Sequence, residues 1–130
     1  MLIAYEFTSA TRIIRMDWKE DAPIDSWMGW SRGRWEGDTL VVDVTGQREE
    51  TWFDRAGNYH SDALHVVERY SFIDKDHLNY DVTIEDPKVF TRPWKMSMPI
   101  YRRLEKNVRP LEYDCYAFEH LFRLPENNGK

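Results

Sequence analysis

Between Thr51 and Arg69 the chain concentrates groups able to move protons: Asp54, Arg55, His60, Asp62, His65, Glu68 and Arg69, with Trp52, Phe53 and Tyr59 among them. A free imidazole titrates at a pKa of about 6.5, so His60 and His65 can each take and give a proton near neutral pH. A carboxylate behind either ring would fix its tautomer and support its cation, and Asp54 and Glu68 are the candidate partners. Arg55 and Tyr70 are candidates to stabilise developing negative charge. Opening on an aromatic-lined cavity, such a set suits cofactor-independent acid/base chemistry on a small hydrophobic or aromatic substrate, by a lyase, isomerase or cyclase. The plain alternative is structural: Asp54 and Arg55 cap a turn, Asp62 caps a helical turn, and Glu68 and Arg69 pair with neighbouring strands.

Two histidines and a carboxylate are also a known ligand set for Fe(II) and for zinc. The order His60, His65, Glu68 lacks the His-Glu-x-x-His spacing, so neither a metal nor another cofactor is expected. Trp27, Trp30, Trp35, Trp52 and Trp94, with Asp43, are the candidate substrate-binding residues, because indoles stack flat ligands. The same tryptophans also suit an ordinary barrel core. Two further functions follow, a non-catalytic barrel that binds a small molecule and a structural subunit whose aromatic face forms a homodimer. No Gly-rich phosphate loop, Walker motif, Gly-x-Ser-x-Gly elbow, dinucleotide fingerprint or internal repeat occurs.

The elements that must position these residues read as strands. Residues 2–7 and 10–16 predict two short strands, and the charged stretch 17–25, with Pro23, predicts a loop. Glu36-Gly37-Asp38 predicts a hairpin turn between two β-favouring arms, with Leu40, Val42 and Val44 on one face of the second. Residues 51–64 then form a long polar connection into a strand over 65–73, where Val66, Glu68, Tyr70 and Phe72 share a side, so Glu68 is expected to point inward and need a partner. Residues 78–85 alternate most cleanly, with Leu78, Tyr80, Val82 and Ile84 inward. Pro93 and Pro99 confine residues 90–101 to an edge or bulged strand, and residues 111–122 predict a last strand. The expected fold is all-β, a single antiparallel up-and-down barrel of about eight strands, with a two-sheet sandwich as the alternative.

At 130 residues the chain matches one domain, expected over residues 1–124, with a disordered tail over 125–130. Aromatic residues make up 15% and charged residues 32%, with a mean hydropathy of −0.71, which implies an aromatic core inside a very polar shell. The net charge of −5 argues against nucleic-acid binding. The single cysteine, Cys115, excludes an intramolecular disulfide and a Cys-based zinc site, and fits a reducing compartment. Without a long apolar run or a signal-peptide pattern the chain reads as cytoplasmic, with no membrane partner.

Residues 27–43, with Trp-Met-Gly-Trp-Ser-Arg-Gly-Arg-Trp-Glu-Gly-Asp-Thr-Leu-Val-Val-Asp, are followed by Thr-Trp-Phe-Asp-Arg-Ala-Gly at 51–57 and His60-Ser61. Then come Leu-His-Val-Val-Glu-Arg at 64–69, Glu85-Asp86-Pro87 and Thr91-Arg92-Pro93-Trp94. This run resembles a widespread group of uncharacterised bacterial proteins over residues 26–98. The resemblance implies no established activity. Members often carry a longer amino-terminal region and a secretory leader, and the stretch 114–120 departs from their pattern. By analogy the fold is similar to the lipocalin-like calycin barrels, a likeness that carries no function with it.

Overall fold

The computed structural model describes residues 1–110, which are all-β apart from one short 3-10 turn, Phe7–Ser9. Seven strands form one sheet in chain order, curled into a half-barrel. They are β1 (Leu2–Ala4), β2 (Thr11–Met16), β3 (Trp30–Glu36), β4 (Thr39–Thr45), β5 (His65–Phe72), β6 (His77–Glu85) and β7 (Trp94–Tyr101). The strand expected at 111–122, Cys115 and the tail at 125–130 lie outside the described residues.

The expected up-and-down topology is corrected at one point that decides it. β2 and β3 run parallel, with Ile14 opposite Ser31 and Met16 opposite Gly33, while every other neighbouring pair is antiparallel. Parallel neighbours need a crossover of about a dozen residues, and residues 17–29 supply it. That stretch reads as a plain loop in the sequence because its ties are tertiary. The Asp17 N–H donates to the Gly33 carbonyl at 2.8 Å, Trp30 Nε1 donates to the Ile24 carbonyl at 2.9 Å, and the Arg15 guanidinium lies 4.0 Å over the Trp30 ring. The β2–β3 approach is also close. A Cβ on Gly33 would stand 2.6 Å from Ile14 Cγ2, so only glycine lets these strands meet.

Strand alternation places the core where period-two patterning expects it. Leu40, Val42 and Val44 are buried on one face of β4, against Ile14, with Ile3, Met16, Val66 and Tyr70 packed around them. Farther along the same face, Leu64, Val82 and Ile84 pack with Phe53, Val66, Tyr80, Phe90 and Trp94. Fully burying side chains of this kind stabilises by about 1.5–3 kcal/mol each. Val41, on the opposite face, is fully buried too, so β4 is covered on both sides. The β3–β4 hairpin turns at Gly37, whose φ of +59° suits glycine, and Glu36 pairs with Thr39 across it. Among the described residues β7 pairs with β6 alone, as its prolines predict. Its Met96, Met98 and Ile100 are on the core face but remain 40–43% exposed. No helix among the described residues is long and apolar enough to cross a membrane.

Candidate ligand-binding site

The polar connection between β4 and β5 contains a small hairpin of its own. Trp52 and Tyr59 form an antiparallel bridge, and the Phe53 N–H donates to the Asn58 carbonyl at 2.8 Å. Gly57, at φ +88°, takes the left-handed conformation that closes the tip. Asp54 holds the turn as an Asx cap, accepting the Ala56 and Asn58 N–H groups at 2.8 and 3.2 Å on Oδ1 and the Asn58 side-chain amide on Oδ2. The Asn58 side chain first, then the backbone N–H groups, hold the Asp54 carboxyl below its ordinary range, so it is an anion throughout neutral pH.

Two further ties fix this hairpin against the sheet. His60 is 4% exposed and both ring nitrogens are engaged. Nδ1 lies 3.0 Å from the Ser61 carbonyl, which only accepts, so Nδ1 carries the proton. Nε2 contacts Thr51 Oγ1 at 2.5 Å, and that hydroxyl also reaches the Arg48 carbonyl at 3.1 Å. Just beyond, the buried Asp86 accepts the Ser61 N–H at 2.6 Å and the Ser61 hydroxyl at 2.8 Å, and its Oδ1 accepts the Lys88 N–H at 3.0 Å. Burial pushes the Asp86 carboxyl up, but the Ser61 bonds outweigh it and leave the group below its usual range. Asp86 therefore clamps the β4–β5 connection to the β6–β7 connection, whose turn it also closes through the Phe90 N–H. The His60-Ser61 and Asp86-Pro87 sequences thus have a shared structural task.

The clamp brings three rings into one corner of the core face. Phe53 comes from the hairpin, Phe90 from the β6–β7 connection and Trp94 from the start of β7. Trp94 stands nearly perpendicular to both partners, 77° to Phe53 at 5.9 Å and 84° to Phe90 at 5.7 Å between centroids. Phe53 and Phe90 are 6.2 Å apart, and the His60 ring lies behind Phe53 at 5.2 Å. With Asp54 and Asn58 at its rim, this corner encloses a recess of about 340 Å³. Trp94 Nε1 is buried with no acceptor, alone among the buried side-chain polar atoms of the described residues. A buried donor without a partner costs about 1–3 kcal/mol.

The remaining sequence-predicted residues divide between two other places. Glu68 does point inward and is held by Arg12, whose Nη1 and Nη2 donate to its two oxygens at 3.0 and 2.6 Å, while Arg12 Nε donates to Ser31 Oγ at 2.7 Å. The Tyr80 hydroxyl donates to Glu68 Oε1 at 2.9 Å, and Tyr70 reaches the same oxygen at 3.5 Å. Burial, then the Glu68 charge, raises both phenols above their ordinary pKa, so they serve as neutral donors. Burial also works against the Arg12 charge, but Glu68 outweighs it and keeps the guanidinium firmly protonated. On the opposite face of the sheet, His65 Nε2 meets Asp43 Oδ2 at 2.9 Å, and Arg32 Nη2 donates to Asp43 Oδ1 at 2.6 Å. Burial raises the Asp43 carboxyl, but the bonds from His65 and Arg32 bring it below its usual range.

His60 and His65 therefore share no partner, and the two-imidazole set is not assembled. Arg55 is exposed at the hairpin tip, and Asp62 pairs with Lys88 at 2.5 Å. The tryptophans are dispersed too. Trp27, Trp35 and Trp52 are 59%, 55% and 68% exposed, Arg48 lies 4.5 Å over Trp27, and Trp30 is taken by Arg15. Of the five, Trp94 alone lines the recess. Phe53, Asn58 and Phe90 are members of the recess that sequence reasoning missed, as are Arg12, Ser31 and Tyr80 around Glu68. Alternation placed Tyr80 on the inner face with Glu68, so the last was within reach. No group of three or more His, Cys, Asp or Glu side chains among the described residues could hold a metal. No protein-family model, curated protein or solved structure matches the chain.

Proposed function

We propose that this protein is a non-catalytic small-molecule binder whose half-barrel holds a small hydrophobic or aromatic molecule in the recess of Phe53, Phe90 and Trp94. The observation that carries this reading is the coincidence, in one corner, of three converging rings and an open volume with a carboxylate and an amide at its rim. Ligand sites in small proteins are concave, mostly apolar and furnished with a few fixed polar groups. Asp54 and Asn58 are fixed in that sense by their own turn. The test is calorimetric titration with small aromatic compounds, neutral and cationic, while the Trp94 indole N–H is followed by NMR. Binding should shift that resonance, and Phe90→Ala should weaken affinity at least tenfold. Absence of binding, or binding indifferent to Phe90, would refute the proposal.

A second reading, acid/base catalysis by a lyase, isomerase or cyclase, is favoured by one observation. The Asp43–His65 hydrogen bond orients an imidazole that is 38% exposed at its side chain, with Nδ1 left 4.0 Å from Glu85. Catalysis would then rest on His65 alone, on the face away from the recess. Turnover of an added small molecule, followed by product mass, abolished in His65→Asn and unaffected by Phe90→Ala, is the result that would establish it.

A further inference from the structure

We infer that the recess selects a small molecule bearing an alkylated, positively charged nitrogen, with the ring faces of Phe53, Phe90 and Trp94 receiving the cation and Asp54 supplying the counter-charge. This rests on the small-molecule reading above and adds the ligand's chemical class.

The faces of aromatic rings carry the negative part of their quadrupole and attract a cation within about 6 Å of the centroid. Trp94 is in edge-to-face contact with both phenylalanines, so a cation seated in the recess has more than one ring within reach. Elsewhere the molecule uses its own guanidinium groups for this contact. Arg15 lies over Trp18 and Trp30 at 5.9 and 4.0 Å, and Arg48 over Trp27 at 4.5 Å. Among the described residues no Lys or Arg sits over the three rings of the recess, and no Lys, Arg or His lies within ion-pair distance of Asp54. Its oxygens are occupied only by N–H groups of its own turn.

That arrangement discriminates between ligands by charge. A neutral apolar molecule seated against the rings gains apolar contact but nothing from the exposed Asp54 carboxylate at the rim. A primary ammonium is compact and strongly hydrated and needs several acceptors to replace its water. An alkylated ammonium needs only charge and apolar contact, which is what the recess provides. The volume of about 340 Å³ is at the small end of ligand sites and suits a compact cation with one apolar substituent.

The test compares phenyltrimethylammonium with tert-butylbenzene, which have the same shape and differ in charge, by titrating each into the full chain and following the Trp94 indole N–H. The cation should bind about tenfold more tightly or better. Asp54→Asn keeps an acceptor for the Ala56 N–H and removes the charge, so it should erase most of that preference, with a lowered thermal midpoint because the Asn58 side-chain amide loses its acceptor. Phe90→Leu should weaken both ligands. Equal binding of the two compounds, or tighter binding of the neutral one, would overturn the charge inference and leave the small-molecule reading standing. Failure of both to bind, or binding of both unaffected by Phe90→Leu, would overturn the two together. Should Asp54→Asn disturb the turn, the comparison on the unaltered chain decides the matter alone.

Discussion

The Arg12–Glu68 cluster and the Phe53–Phe90–Trp94 corner lie on the same face of one sheet, and they treat their polar atoms in opposite ways. Around Glu68 the charges cancel and the bonds close: two guanidinium contacts, a serine behind the guanidinium and a phenol on the carboxylate. In the corner, among the described residues, an indole N–H has no acceptor, and a carboxylate fixed by its own turn has no cation. Saturated buried networks rigidify a fold, because any missing member leaves a charge stranded in a low-dielectric surrounding. The carboxylate at the edge of the recess is the group that a cationic ligand would meet. A cluster rich in ionisable residues is therefore the weaker functional candidate here, and the poorer one, with a single carboxylate, is the stronger.

The largest expected effect would break or confirm the first half of that contrast. Glu68→Ala strands the Arg12 charge and should cost about 3–5 kcal/mol in urea unfolding, without altering ligand affinity at the recess in the protein that remains folded. The pair Arg12→Met with Glu68→Leu, which removes both charges, should recover most of the loss. If affinity fell with either change, the cluster would belong to the site after all.

Next in size is the Asp86 clamp. Asp86→Asn should cost about 1–3 kcal/mol, because it weakens buried hydrogen bonds to a charged acceptor. The sign of its pH dependence follows from the depressed folded-state pKa. A carboxyl whose pKa is lower folded than unfolded contributes its stability above the unfolded value, about 3.9, and loses it as pH falls through the folded value below. Thermal midpoints measured from pH 6 down to pH 2 should drop in the unaltered protein, with a smaller drop in Asp86→Asn. Because the clamp holds Phe53 near Phe90, the same variant should also weaken binding at the recess.

Smaller in stability, and sharper for function, is Asp54→Asn, expected to lower the unfolding midpoint slightly, through the lost Asn58 bond, while changing ligand preference. The smallest effect belongs to His65→Asn on the far face. It should change stability by less than about 1 kcal/mol, since its ion pair is partly solvated, and should leave affinity at the recess untouched. A large loss of affinity there would couple the two faces and undo the separation of His65 from the site.

Much of this fold is legible in the residues. The hairpin at Gly37, the inward row Leu40, Val42 and Val44, the alternation of β6 and, among the described residues, the edge position of β7 all follow from local rules of period two, glycine at positive φ and proline without a donor. The inward direction of Glu68 and its need for a partner follow from the same alternation. Its partner does not, because Arg12 is 56 residues away and sits on a strand whose neighbour runs parallel.

The candidate site divides in the same way. Composition marked residues 51–69 as chemically dense, and the sequence left Asp54 between a partner for an imidazole and the cap of a turn; the cap, made within a few residues, is what forms. Which dense groups would meet was left to the tertiary structure. His60 and His65 are close in sequence yet engaged by different partners, because His65 enters a strand facing Asp43 while His60 is drawn under Phe53 by Thr51 and Ser61. Phe53 and Phe90, far apart in the chain, share a corner because Asp86 binds Ser61 across 25 residues. Local pattern decides which way a side chain points, whereas only the closing of long loops decides what it points at.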